Sequence, residues 1–279
     1  MTKELSGKPV VITGAGQGLG RAYALAIAAA GGRVLVNDRN GANAHAVVRE
    51  IVALGGEAIA SSDPVGTAES AAAIVGQCVE AFGSVHGLIN NAAIWEERLS
   101  WDESPAYVEA LVRANLLGTW YTGLAVMEPM RRAGSGVIVN VTSGAMLGVP
   151  TMALYGASKA GIASLTVSWA QELFGSGVRV HGIAPWALTP MQQVVRSELR
   201  AKHGPEIAAP LAVYLLTDLA APLNGQVVRT AEGKISLYRP GSFGEVLGER
   251  MDWTTETLHA TLDGRGGGGL GFLPQNAND

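Results

Sequence analysis

A short apolar run, Pro9 to Thr13, stops on Gly14-Ala15-Gly16-Gln17-Gly18-Leu19-Gly20 and gives way to the alanine-rich stretch Arg21 to Ala30. Length and punctuation make this a strand, a tight glycine turn and a helix. Such a turn brings backbone N–H groups and a helix N-terminus close to a pyrophosphate, because glycine has no Cβ to block the approach. The spacing does not fit Gly-x-Gly-x-x-Gly; it reads Thr13-Gly14-x-x-x-Gly18-x-Gly20. A second strand, Arg33 to Asp38, ends in an acid about twenty residues beyond the turn. A carboxylate there holds ribose hydroxyls and repels a 2′-phosphate, which favours NAD over NADP. Arg39, next in the chain, is the residue that would argue for NADP.

The rest of the chain repeats the alternation. Helices are expected at Asn40 to Leu54, Ser70 to Phe82, Pro105 to Arg131 and Pro205 to Leu216, the third of them with a break. Strands are expected at Glu57 to Ser62, Val85 to Ile89, Gly136 to Val141, Val178 to Ile183 and Gly225 to Thr230. The predicted fold class is α/β: a Rossmann-like doubly wound domain with a mostly parallel seven-stranded sheet and helices on both faces. One domain is expected over 1–279, with a core at about 8–235 and an extra tail over 238–279 that carries a helix near Thr254 to Thr261. Gly264 to Gly271 is too glycine-rich to bury much surface, and Met191 to Lys202 reads as a short helical lid.

Composition narrows the function. The 279 residues are 48% hydrophobic with a net charge of −4, which leaves no basic footprint for nucleic acid. The single cysteine, Cys78, excludes an internal disulfide framework. No apolar leader and no run of about eighteen apolar residues is present, so the chain reads as cytoplasmic, without a membrane partner. No metal site is read.

Chemistry is carried by Ala153-Leu-Tyr-Gly-Ala-Ser-Lys-Ala160, which sets Tyr155 and Lys159 one helical turn apart on one face. A free phenol ionises near pH ~10, and an ammonium beneath it favours the phenolate, so that it trades protons with an alcohol. Ser143, at the carboxyl end of the Gly136–Val141 strand, is placed to donate to a substrate oxygen. Thr142 beside it is the other candidate.

Together these motifs are identified as those of the short-chain dehydrogenase/reductase family, over roughly Lys8 to Ile235. The resemblance implies catalytic roles for Asn115, Ser143, Tyr155 and Lys159, with Asn115 holding a water that relays protons to Lys159. It implies cofactor contacts from Thr13, Gly14, Gly16, Gln17, Gly18, Leu19 and Gly20, from Asp38 and Arg39, and from Asp63 at the adenine with Pro64 after it. Asn91, Ala92 and Ala93 stand where the family has Asn-Ala-Gly. Pro185, Trp186 and Thr189 belong to the segment that closes over the nicotinamide, with Thr189 on the carboxamide. His181 and Trp186 depart from the family's usual Asn and Gly; His181 is read as bonded to a backbone carbonyl.

Trp95, Met146, Leu154, Trp186 and Met191 suggest an apolar pocket, hence a hydrophobic secondary alcohol or its ketone as substrate. Ala209 to Ala212 and Gly225 to Ile235 resemble the dehydrogenase part of multifunctional hydroxyacyl-CoA enzymes, making a 3-hydroxyacyl-CoA the alternative, with Arg196, Arg200 and Lys202 as candidate phosphate contacts. A non-catalytic NAD sensor on the same fold is the rival from another class. The resemblance also implies a homo-oligomer, tetramer or dimer, paired through the helices of Asn115 and Tyr155.

Overall fold

The computed structural model describes residues 4–191, 201–239, 249–252 and 254–262. The chain divides at Tyr238 into two compact units. In the first, strands β1 (Pro9–Thr13), β2 (Arg33–Asn37), β3 (Glu57–Ser61), β4 (Gly87–Asn90), β5 (Gly136–Val141), β6 (Val178–Trp186), β7 (Val227–Ala231) and β8 (Lys234–Leu237) form one sheet. Helices α1 (Gly18–Ala29), α2 (Gly41–Ala53), α3 (Ala68–Phe82), α4 (Pro105–Leu111), α5 (Gly118–Ala133), α6 (Ala153–Glu172) and α7 (Ala209–Leu215) connect them.

The strand order is β3-β2-β1-β4-β5-β6-β7-β8, parallel except for β8. The order reverses between β1 and β4, which opens a crevice at the carboxyl ends of the strands. Every residue of β1, β4 and β5 is buried, as continuous apolar runs must be when helices cover both faces. One core packs α1, α2 and α7 against one side through Val34, Val36, Val139 and Ile183. The other packs α3, α5 and α6 through Val11, Leu35, Leu88 and Ile138.

Two expectations are corrected. The sheet has eight strands rather than seven: Glu232 and Gly233, at φ 48° and 77°, make a two-residue turn that folds β8 back antiparallel on β7. Strand β6 runs three residues past Ile183, because Ala184, Pro185 and Trp186 pair with Arg229, Thr230 and Ala231. The break expected in the long helical region falls between α4 and α5, at a π-helical turn, Val112–Leu117, which carries Asn115.

Of the expected lid, residues 192–200 lie outside the described residues, as does 264–271. Leu188 N–H donates to the His203 carbonyl at 2.7 Å, joining the two ends of that segment. In the second unit, α8 (Thr255–Leu262) is started by a reciprocal cap: Thr257 N–H donates to Thr254 Oγ1 and Thr254 N–H to Thr257 Oγ1. Among the described residues no helix is long and apolar enough to cross a membrane.

Candidate active site

The glycine turn is built around close approaches. Gly14 and Gly18 have φ of 61° and 54°, in the left-handed region that glycine enters without strain. A Cβ on Gly14 would stand 2.7 Å from Ala92 Cα, and one on Gly16 would stand 2.7 Å from Asp38 Oδ2. A Cβ on Gly20 would collide with the Gly14 carbonyl and lie 2.7 Å from Asn91 Nδ2. Thr13 Oγ1 accepts N–H bonds from Asn91 and Ala92 at 3.1 Å, and Asn91 Nδ2 donates back to the carbonyls of Thr13 and Gly14. The ends of β1 and β4 are thereby tied together beneath the turn. Ala93 is not among the residues with positive φ, so its methyl group carries no backbone strain.

Gln17 stands at the N-cap of α1 without a side-chain cap bond, so its side chain does not take up the first N–H groups of the helix. Leu19 is half-buried and Gln17 exposed. Asp38 closes the crevice on one side: Oδ2 accepts from Gly16 N–H at 3.0 Å and Oδ1 from Asn40 N–H at 2.9 Å. These bonds fix the carboxylate at the end of β2, while Arg39 and Pro64 are exposed. Asp63 Oδ2 accepts from Gln77 Nε2 at 2.7 Å and from Ser61 Oγ at 3.2 Å. On the other side Thr189 and Pro190 reach the turn, 3.6 Å from where a Cβ of Gly18 would be. An uncapped helix start, a turn with no room for side chains and a fixed acid form a cradle that fits a dinucleotide.

Tyr155 and Lys159 lie on α6, across the crevice from α1. Tyr155 is half-buried with the Ser143 side chain beside its hydroxyl, and Ser143 Oγ accepts from Ala145 N–H at 3.2 Å. Trp95, in the segment after β4, sets its ring 6.0 Å from that of Tyr155 at 51°. Lys159 is 2% exposed; its Nζ donates to the Val141 carbonyl at 2.7 Å and lies 5.7 Å from the Tyr155 ring centroid. The four-residue spacing does put both on one face, but the ammonium is drawn to the end of β5 rather than to the phenol oxygen. The expected lowering of the Tyr155 pKa is therefore corrected. Burial pushes the phenol up to about 12, against the lowering effect of the Ser143 hydrogen bond, and burial pushes the Lys159 ammonium down to about 8.

Asn115 is wholly buried in the π-helical turn. Its Oδ1 accepts from Ile94 N–H at 2.8 Å, and its Nδ2 donates to the Ile94 carbonyl and to Ser158 Oγ. Its side chain thus clamps the segment bearing Trp95 onto the helix bearing Tyr155. A π-helical turn is how one extra residue per turn aims this side chain across to that segment. The same segment is held again farther on: Glu96 N–H donates to Tyr107 Oη at 2.7 Å, and Arg98 N–H donates to the Thr151 carbonyl at 3.0 Å.

Sequence reasoning missed a buried polar ladder below the site. Thr122 Oγ1 donates to Asn90 Oδ1 at 2.6 Å, Asn90 Nδ2 to Asn140 Oδ1 at 3.0 Å, and Asn140 Nδ2 to Thr166 Oγ1 at 3.0 Å. It links α5, β4, β5 and α6 and holds the β5 end that carries Ser143. Asparagines inside otherwise apolar strands were the available signal. Of the expected pocket residues, Leu154, Trp186 and Met191 are half-buried, and Met146 packs with Tyr238 against Ala163, Ala184 and Val227.

His181 sits in β6 with no exposure; its ring Nδ1 lies 3.0 Å from the Leu223 carbonyl, and Nε2 has no partner among the described residues. The carbonyl partner matches the reading from sequence. Burial lowers its pKa from 6.5 to about 4, so it is neutral at pH 7. Above pH 6.5 neither state is charged; as pH falls through 6.5 toward 4 the unfolded chain takes up a proton that the folded chain refuses. Stability is expected to fall by about 3 kcal/mol across that window, and the His181→Asn variant to lack this loss. Urea unfolding at several pH values checks it; an unchanged slope in the variant would show that other groups govern acid stability.

A crevice at the switch point of a parallel sheet, with a Ser–Tyr pair and a buried lysine opposite a glycine turn, defines a dinucleotide-dependent oxidoreductase of the Rossmann class. The short chain dehydrogenase family model matches residues 8–200, and the chain belongs to the short-chain dehydrogenase/reductase family, NAD(P)-dependent oxidoreductases acting on CH–OH groups. It is 36% identical over 242 residues to a 3-oxoacyl-[acyl-carrier-protein] reductase of Synechocystis sp., covering 83% of this chain and 98% of the relative. Among solved structures, a short chain dehydrogenase from Mycobacterium avium aligns with TM-score 0.85 at 36% identity, over 93% of this chain and 94% of that one. A 7 alpha-hydroxysteroid dehydrogenase complexed with NADH and 7-oxo glycochenodeoxycholic acid aligns with TM-score 0.78 at 30% identity, over 83% of this chain and 96% of that one.

Proposed function

We propose that this chain interconverts a hydrophobic secondary alcohol and its ketone, using NAD(H), with Tyr155 as the acid/base. The observation that carries the reading is the enclosed Lys159, its Nζ 5.7 Å from the Tyr155 ring centroid and bonded to the Val141 carbonyl at the end of the strand that Ser143 follows. Bound nicotinamide would supply the hydride acceptor. Ser143 donates to the substrate oxygen and fixes it, while Tyr155 takes the hydroxyl proton in oxidation and returns it in reduction. Lys159 holds positive charge under the ring, and Asn115, bonded to Ser158 of the helix that carries Lys159, is the start of a water-borne proton path to it. Trp95, buried with its ring 6.0 Å from that of Tyr155, shields the reacting oxygen from water.

Asp38 supports NAD over NADP, because a 2′-phosphate would face a carboxylate pinned by Gly16 and Asn40. Two relatives act on ketone-bearing substrates of different shape, an acyl chain and a steroid, so the body of the substrate is proposed only as apolar. The 3-hydroxyacyl thioester is the second reading, supported by the similarity to the acyl-carrier-protein reductase; of its candidate phosphate contacts Lys202 is exposed, and Arg196 and Arg200 lie outside the described residues. The same proposal includes a homo-oligomer paired through α5 and α6, where Trp120 and Leu124 are exposed, and a cytoplasmic location, in keeping with a free, buried Cys78.

The test is the reduced-nicotinamide absorbance with NAD or NADP across hydrophobic secondary alcohols, ring diols and 3-hydroxyacyl thioesters. Turnover with NAD is expected, and Asp38→Ala should erode the preference for NAD by about tenfold or more, the worth of one charged contact. NADP-only turnover in the parent would overturn the cofactor reading. NAD binding without any turnover would favour the sensor.

A further inference from the structure

Strand β7 carries a cation for which the proposed chemistry has no use. Arg229 is half-buried, and among the described residues its guanidinium has no hydrogen-bond or ion-pair partner. The acid nearest in the chain, Glu232, is committed elsewhere, accepting from Lys202 N–H at 3.1 Å and facing His203 Nε2 at 3.3 Å. A half-buried guanidinium with no anion beside it keeps donors free for one.

Its position is specific. Arg229 pairs with Ala184 of β6 and is two residues beyond Val227, toward the carboxyl ends of the parallel strands. Val227 and Ala184 pack with Ala163 of α6 and with Met146, so Arg229 belongs to the face of the sheet that α6 covers, the face of Tyr155. There the guanidinium reaches Gly144, the residue after Ser143. A Cβ on Gly144 would collide with Nη1 and lie 3.5 Å from Cζ and 3.8 Å from Nη2. Gly144 does not have the positive φ that would demand glycine. The guanidinium thus occupies the space over Gly144, next to the hydroxyl that grips the reacting oxygen, and a side chain at 144 would have to displace it.

We propose that Arg229 is a specificity-determining residue that binds a carboxylate carried by the substrate, near the carbon whose hydroxyl Ser143 and Tyr155 hold. This rests on the oxidoreductase reading above and narrows its substrate to hydroxy acids and oxo acids. A carboxylate is favoured over a phosphate because one planar guanidinium matches one planar carboxylate, and Lys159, the buried cation of the site, is already bonded to the Val141 carbonyl.

The test uses matched pairs: 3-hydroxybutanoate and 4-hydroxypentanoate against their methyl esters, with NAD, on the full chain and on Arg229→Gln and Arg229→Lys. The parent is expected to prefer each acid to its ester. Arg229→Gln should lower kcat/KM for the acids about 100-fold, chiefly through KM, and change the esters by less than about twofold; Arg229→Lys should recover part of the loss. A second arm titrates the same carboxylates into the NAD-loaded protein by calorimetry. Carboxylate binding by the parent and its loss in Arg229→Gln supports the anchor even if no reduced cofactor forms, in which case the oxidoreductase reading alone fails. Equal loss on acids and esters, equal binding by parent and variant, or no binding of either carboxylate by the parent overturns the anchor; so does a change in oligomeric state with Arg229→Gln that accounts for the loss.

Discussion

Tyr155→Phe is expected to lower turnover by about 10³-fold or more, in both directions, while leaving NAD affinity and the melting temperature close to those of the parent. The magnitude is that of a positioned acid or base, which contributes ~10²–10⁴-fold. Only the hydroxyl is removed, and the ring that packs 6.0 Å from Trp95 stays in place. With the phenol at about 12, the protonated form dominates at pH 7 and is poised to give a proton to a ketone. Alcohol oxidation needs the proton-accepting form, so its rate should climb with pH above neutrality in the parent, and the climb should vanish with Phe. Initial rates of nicotinamide reduction across that range decide it; a variant as fast as the parent would remove Tyr155 from the mechanism.

Lys159→Met should do two opposite things: abolish most turnover and stabilise the fold. The folded pKa of about 8 lies below the ordinary 10.5, so burial disfavours the cation in the folded chain by about 3 kcal/mol at pH 7. Below pH 8 both states are cationic and the full penalty is present. Between 8 and 10.5 the folded chain gives up its proton while the unfolded chain keeps it, so stability rises with pH across that window. Met fills similar volume without charge but leaves the Val141 carbonyl without the Nζ donor, an offset of about 1 kcal/mol or more. A net gain of about 1–2 kcal/mol in urea unfolding is the expected result, with the pH-dependent rise gone. Destabilisation at pH 7 would mean that the ammonium is better solvated than its enclosure implies. A residue whose removal stabilises the chain is retained for its chemistry, a strain placed where function needs it.

The site's parts are legible to different degrees. Thr13, the four glycines and Asp38 were readable because a strand-turn-helix is local: each requirement falls within a few residues of the next. Tyr155 and Lys159 were readable as a pair for the same reason. What they do to each other was not, because the Lys159 amine is aimed by a carbonyl on β5, eighteen residues earlier in the chain, and the phenol responds to enclosure by Trp95 and Ser143. Asn115 was readable as an asparagine in a helical stretch; the π-helical turn that aims it at Ile94 and Ser158 was not.

The sequence by itself determined the alternation of strands and helices, the glycine turn with its acid, and the one-turn spacing of tyrosine and lysine, since periodicity and backbone freedom are properties of short stretches. Tertiary structure decided the rest. It turned β8 back on β7 through Glu-Gly, a pair with a weaker turn signal than Asn-Gly; it tied β4 to β5 through Asn90 and Asn140; and it set Arg229 against Gly144. Each is a meeting of residues far apart in the chain, and desolvation, which sets the charge states of Tyr155, Lys159 and His181, depends on what the whole chain packs around a group rather than on its neighbours in sequence.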